Sequence, residues 1–146
     1  MPRPTKIHID RRALGHNFAL AKGLAGCARV LAVIKANAHG HDALRVADTL
    51  DAADGFAVAI PDEAIQLREA GIIKPVIVLE GPFLAEELAT LINLGITPVL
   101  HAEHQIEWLR LCRTSQPAHC QRHNKLLQSA HNGKKHHPHD IFGHIN

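Results

Sequence analysis

Hydrophobic and polar positions over the first 110 residues alternate between two rhythms, a helical spacing of three to four residues and short unbroken apolar runs. Leu14, Phe18, Ala21 and Ala25 share one face of a helix that Asp10 is placed to cap and Gly26 to end. The run Val30-Leu31-Ala32-Val33-Ile34 has no polar alternation, which marks a parallel strand covered on both faces. Ala43, Val46, Ala47 and Leu50 predict a second helix. Phe56 to Ile60 reads as a second strand, followed by a helix opened by Pro61-Asp62-Glu63 and closed at Gly71. A third strand, Val76 to Leu79, precedes a helix carrying Leu84, Leu88, Leu91 and Ile92 that stops at Gly95. Pro98-Val99-Leu100 forms a shorter fourth strand, and His101-Ala102-Glu103 leads into a helix bearing Ile106 and Leu109.

Strand starts near Val30, Phe56, Val76 and Pro98 recur every 20 to 26 residues, the spacing of successive βα units in a parallel sheet. The pattern therefore predicts an α/β fold of about four units. It fits two architectures, an open doubly wound sheet and part of a closed (β/α)8 barrel. The segment after the first strand, Lys35-Ala36-Asn37-Ala38-His39-Gly40-His41, holds one glycine and lacks the glycine-rich fingerprint of a dinucleotide site, which weighs against the doubly wound alternative.

Composition sharpens the boundaries of this pattern. At 146 residues the chain is shorter than the roughly 250 that a complete barrel uses. With 46% hydrophobic and 21% charged residues it has the balance of an ordinary globular protein. Four Phe, one Trp and no Tyr imply an aliphatic core and exclude tyrosine chemistry. No apolar run approaches the ~20 residues that span a bilayer, and Met1 to Lys6 has no signal-like apolar segment, so a cytoplasmic protein without a membrane partner is expected. Cys27, Cys112 and Cys120 form no CxxC pair and point to neither disulfide nor zinc framework.

Charge divides the chain near Arg110. Residues 1–110 carry 11 basic and 13 acidic side chains, whereas residues 111–146 carry 5 and 1 together with 7 of the 13 histidines. Two regions are expected: 1–110, the βα units, and 111–146, an irregular, basic, His-rich tail. The tail offers Cys112, Cys120, His123, His131, His136, His137, His139 and His144 as metal ligands, but Cys-x7-Cys-x2-His is not a structural zinc spacing, and no metal site is assigned. Without aromatic residues interleaved among the basic ones, a nucleic-acid partner is not expected. The joint loss of apolar rhythm and acidic residues at Arg110 matches a change of reading frame or coding segment.

A lysine leaving a buried strand, as Lys35 does, is by itself commonly a solvated end marker. Its neighbours change that reading. Ala32-Val33-Ile34-Lys35-Ala36-Asn37-Ala38-His39-Gly40-His41 resembles the cofactor-attachment motif of bacterial alanine racemases, A-V-x-K-A-N-A-Y-G-H-G, at eight of the nine specified positions through His41. The resemblance continues through Gly55 to Ala59, Glu63-Ala64, Leu67 to Ile72, Pro75 to Gly81 and Gln105 to Leu109, covering roughly residues 5–110.

This resemblance implies a partial (β/α)8 barrel with Lys35 at the C-terminal mouth of its first strand. It implies pyridoxal 5'-phosphate as cofactor, attached through the Lys35 amine, with alanine as substrate and a homodimer as the working assembly. The family uses the lysine on one face of the substrate and a tyrosine of the partner subunit on the other. This chain has no tyrosine. His39 stands where the family directs a tyrosine at the cofactor phosphate, and Asp42 where it has a glycine; His39 can still donate to phosphate, whereas a nearby Asp42 carboxylate would repel it. Both departures are read as drift, while His41 matches the motif and could equally serve a structural role, holding the loop after the strand. The expectation is an alanine racemase lineage in a chain of little or no racemase activity, with a noncatalytic pyridoxal-phosphate-binding module and a metal-binding or interaction protein acting through its tail as alternatives. Four units with open sheet edges further predict self-association.

Overall fold

A computed structural model describes residues 7–115, with the side chains of 113–115 left out of the account. The elements run α1 (Arg11–Leu24), β1 (Leu31–Val33), α2 (Lys35–His39), α3 (Ala43–Thr49), β2 (Gly55–Val58), α4 (Pro61–Glu69), β3 (Val76–Val78), α5 (Ala85–Asn93), β4 (Thr97–Pro98) and α6 (Glu103–Ser115). The four strands pair in parallel in the order β1-β2-β3-β4.

That consecutive order decides between the two architectures. A doubly wound sheet reverses its strand order at a switch point and carries helices on both faces. Here the order never reverses. Register places Ala32 beside Phe56, Phe56 beside Val76, and Val58 beside Val78. These residues share one core with Phe18, Val46, Leu50, Leu67 and Leu91, so α1, α3, α4 and α5 all cover the same side of the sheet. The alternate positions Leu31, Val33, Ile77 and Thr97 face away from that core and are only half-buried. The arrangement is an arc of a (β/α)8 barrel, with helices outside and the future barrel interior on the other face.

The predicted helices are present, and the strands are shorter than the apolar runs that announced them. Asp10 accepts from the N–H groups of Arg12 and Ala13 and caps α1. Gly26, Gly71 and Gly95 follow α1, α4 and α5 with positive φ, as stop signals should. Ile34 and Ala59 extend the apolar runs just beyond their strands and still bond across the sheet, Ile34 N–H to the Ala57 carbonyl at 2.9 Å and Glu80 N–H to the Ala59 carbonyl at 3.0 Å. The helix α6 continues through Arg110 to Ser115. The histidine-rich stretch beyond it lies outside the described residues. No helix among the described residues is long and apolar enough to cross a membrane.

Three of the βα units begin their helices with the same device. At the third position of α4, α5 and α6 stand Glu63, Glu87 and Gln105. Each turns one side-chain oxygen onto two backbone N–H groups ahead of its helix: Ala59 and Ile60, Phe83 and Leu84, His101 and Ala102. The helix starts have unpaired donors that these acceptors satisfy.

Candidate active site

The C-terminal ends of the strands form the rim where an α/β barrel places its reactive groups. Lys35 is the first residue past Ile34 on that rim, and its side chain is exposed while Ile34 is buried. Among the described residues no carboxylate lies within ion-pair distance of Lys35, although Lys22, Lys74, Arg11, Arg45 and Arg110 all have such partners. Its amine is therefore uncommitted.

The backbone that follows is unusual. Ala36, Asn37 and Ala38 all have φ 52° and ψ 46°, and His39 has φ 55°, so the α2 segment makes a turn of left-handed helix. Glycine at position 40, with φ 84°, leaves it. For L-residues that conformation costs about 1–2 kcal/mol each and is normally confined to single positions. Four in succession require support from many bonds. Within the segment, Ala38 N–H donates to the Ile34 carbonyl at 2.9 Å, Gly40 N–H to Ala36 and Asn37, and Asp42 N–H to Asn37 at 3.1 Å. The Asn37 side-chain oxygen accepts from Ala43 N–H at 2.8 Å, and His41 Nδ1 lies 2.9 Å from the Ala38 carbonyl oxygen. From outside it, Glu63 Oε1 accepts the N–H of Ala36 at 2.5 Å.

Asp42 has a structural role that sequence reading missed. It adopts φ 71°, the left-handed region in which a glycine is at ease, and its carboxylate accepts from Leu44 and Arg45 N–H to cap α3. It also pairs with the Arg45 guanidinium at 3.2 Å. Reading Asp42 as drift is thus incomplete, since the carboxylate replaces conformational ease with a cap. Of the two roles open to His41, the contact of its Nδ1 with the Ala38 carbonyl oxygen favours the structural one.

Two clefts flank the turn after Lys35, and Lys35 lines neither of them. His39 borders a cleft of about 380 Å³ whose walls include His8, Asp10, Asn17, Phe18 and His41, and Lys35 is not among them. A second cleft of about 360 Å³ lies between the left-handed turn and α4, lined by Asn37, Asp42, Glu63 and Gln66, again without Lys35. Both are shallow spaces against the helical side, whereas Lys35 stands at the rim. Among the described residues no group of three or more His, Cys, Asp or Glu is disposed to hold a metal ion.

Glu63 was legible in sequence as an acidic residue at a helix start and as part of the resemblance, with no role attached. Its cross-unit bond needed the fold, because Ala36 is 27 positions away. Arg68 was equally hidden: its guanidinium donates to the carbonyls of Ile72, Lys74, Leu94 and Gly95, joining the end of α4 to that of α5.

Comparison with known proteins gives a consistent result. A family model described as "Alanine racemase, N-terminal domain" matches residues 9–127. Alanine racemases of Pseudomonas syringae and Azoarcus are each 48% identical over 116 residues, 79% of this chain. The chain spans 32% and 33% of the length of those two relatives. Among solved structures, the alanine racemase of Acinetobacter baumannii aligns with TM-score 0.70 at 36% identity, covering 73% of this chain and 32% of that one. A biosynthetic alanine racemase of Pseudomonas aeruginosa aligns with TM-score 0.67 at 40% identity, covering 71% and 29%.

Proposed function

The chain belongs to the alanine racemase family through its N-terminal domain, and from that premise we propose that it presents Lys35 as the pyridoxal 5'-phosphate lysine of a racemase acting on alanine. One observation carries the reading: Lys35 is exposed at the C-terminal rim of β1, without a carboxylate partner among the described residues, at the head of a backbone turn closed by hydrogen bonds between Ile34 and Ala43. The donor set fits the aldehyde end of the cofactor, since an uncommitted primary amine is what an aldehyde requires.

When bound, pyridoxal phosphate supplies a conjugated ring able to take up the electron pair left as an α-proton departs. Lys35 Nζ would have two tasks, holding the cofactor through its aldehyde and, when free of it, accepting or returning the α-proton. His39 is proposed as a donor to the cofactor phosphate through an imidazole N–H.

Racemisation also needs a proton-transfer group on the opposite face of the substrate. This chain contains no tyrosine to serve as that group. The chain by itself is therefore proposed to bind cofactor and to racemise alanine little or not at all. In the family reading its assembly is a homodimer and its place is the cytoplasm, where D-alanine is made for cell-wall peptidoglycan.

The test is direct. The 146-residue protein is incubated with pyridoxal phosphate, reduced with borohydride and mapped by peptide mass analysis. A pyridoxyl adduct on Lys35 is expected, and its absence there would sink the reading. An alanine racemisation assay on the same sample should show little turnover beside that adduct.

A further inference from the structure

We infer that Glu63 is a positioning residue for Lys35, fixing the peptide that leaves the lysine by holding the N–H of Ala36. The inference rests on the reading of Lys35 as the cofactor amine. It comes from comparing Glu63 with the two side chains in the same place on the next two helices. Glu87 satisfies Phe83 and Leu84 with one oxygen, and Gln105 satisfies His101 and Ala102 with one oxygen. One acceptor atom is enough to start such a helix. Glu63 does that work with Oε2, at 2.8 Å from the Ala59 nitrogen and 3.3 Å from that of Ile60. Its Oε1 is left over, and it is aimed at Ala36.

The N–H of Ala36 belongs to the planar peptide unit that contains the Lys35 carbonyl. Holding that N–H restrains rotation about the Lys35 Cα–C bond and, with it, the direction in which the lysine leaves the rim. The other polar side-chain contacts on this turn among the described residues, from Asn37, His41 and Asp42, come from side chains of the turn itself and move with it. Glu63 ties the turn to a different βα unit, so it sets the turn against the sheet. Only a carboxylate can do both tasks here. Gln105 turns its second atom, an NH2 donor, onto the Pro82 carbonyl; the same amide at position 63 would meet an N–H with an N–H.

Glu63→Gln therefore separates the two tasks, retaining the helix start and losing the tie to Ala36. Three readouts are taken on the full chain: pyridoxal-phosphate concentration for half-maximal borohydride trapping at Lys35, hydrogen exchange of the Ala36 amide, and melting temperature. Glu87→Gln, the same exchange at a helix remote from Lys35, is the control. Loss of a charge-assisted hydrogen bond predicts about tenfold weaker trapping and about tenfold faster Ala36 exchange in Glu63→Gln. Glu87→Gln should leave both as in the unsubstituted protein. Equal trapping by Glu63→Gln and the unsubstituted protein overturns the inference. So does weaker trapping matched by an equal loss in Glu87→Gln, or one that comes with unchanged Ala36 exchange and a lowered melting temperature, since capping alone would explain it. If the unsubstituted protein is not trapped at Lys35, the cofactor reading fails instead, and Ala36 exchange still decides whether Glu63 fixes the peptide.

Discussion

Arg68 shows how much one side chain can do when its targets are backbone. Its guanidinium donates to Ile72 at 2.6 Å, Lys74 at 2.8 Å, and Leu94 and Gly95 at 3.0 Å, using the planar fork to close two helix-to-strand connections together. Burial lowers its pKa from the ordinary arginine value. Arg68→Met keeps the stem and strips the donors, so it should cost about 2–3 kcal/mol in urea denaturation, because carbonyls the loops depend on lose their partner. Arg68→Lys should recover less than half, since one ammonium cannot span both connections. A loss under about 0.5 kcal/mol for Arg68→Met would show that water replaces the fork fully. Nothing in the spacing around Arg68 announced this role. Sequence periodicity records which face a residue takes, whereas the carbonyls it meets are set by two separate loops.

At the scale of elements, the turn after Lys35 inverts an ordinary rule. In a right-handed helix an exposed Ala→Gly exchange costs about 1 kcal/mol, and Ala19→Gly in α1 should behave so. Ala36 is also exposed, but its φ is 52°. There the side chain is the source of strain, so Ala36→Gly should leave stability unchanged or raise it by up to about 1 kcal/mol, after the entropy of a looser unfolded chain is deducted. Chemical denaturation of the two variants side by side checks the sign. The alternation of helices and strands was legible because it depends on burial on one face. The left-handed turn was not, since Ala-Asn-Ala-His carries no run of glycines and its conformation is imposed by Glu63, Asn37 and the Ile34 carbonyl.

The junction of β1 with β2 adds a pH-dependent element. Asp54 accepts the Val30 N–H at 2.8 Å and pairs with Lys22 at 3.3 Å. The Val30 bond first, then Lys22 and Arg29, hold its carboxyl below the ordinary aspartate value against the opposing effect of partial desolvation. A depressed pKa in the folded state favours folding while the group is ionised. That contribution is present above the unfolded pKa of about 4 and disappears as pH falls through the lower folded value. Denaturation curves between pH 7 and 2 should therefore show a constant stability gap between the unsubstituted protein and Asp54→Asn above about pH 5, closing below about pH 4. A gap that persists undiminished to pH 2 would assign it to packing rather than charge.

For the whole molecule, the division of the sheet into two unlike faces matters more than any single bond. Apolar runs predicted strands buried on both faces, and the residues themselves are apolar on both, but among the described residues the helices cover one side only. Periodicity left barrel and doubly wound sheet open because both use the same βα unit; the unreversed strand order chose between them. Among the described residues Leu31, Val33 and Ile77 on the uncovered face remain half-buried, and β1 and β4 form the edges of the sheet. An apolar sheet face with free edges is a template for association. Sedimentation should show concentration-dependent self-association of the purified chain. Register gives the discriminating pair of variants, because Val76 and Ile77 are neighbours that point to opposite faces. Ile77→Glu should lower association while leaving the melting temperature within a few degrees, and Val76→Glu, which places a charge in the core, should abolish cooperative unfolding. If Ile77→Glu unfolds the protein as Val76→Glu does, the uncovered face is already packed in the free chain, and association has to be driven from the strand edges instead.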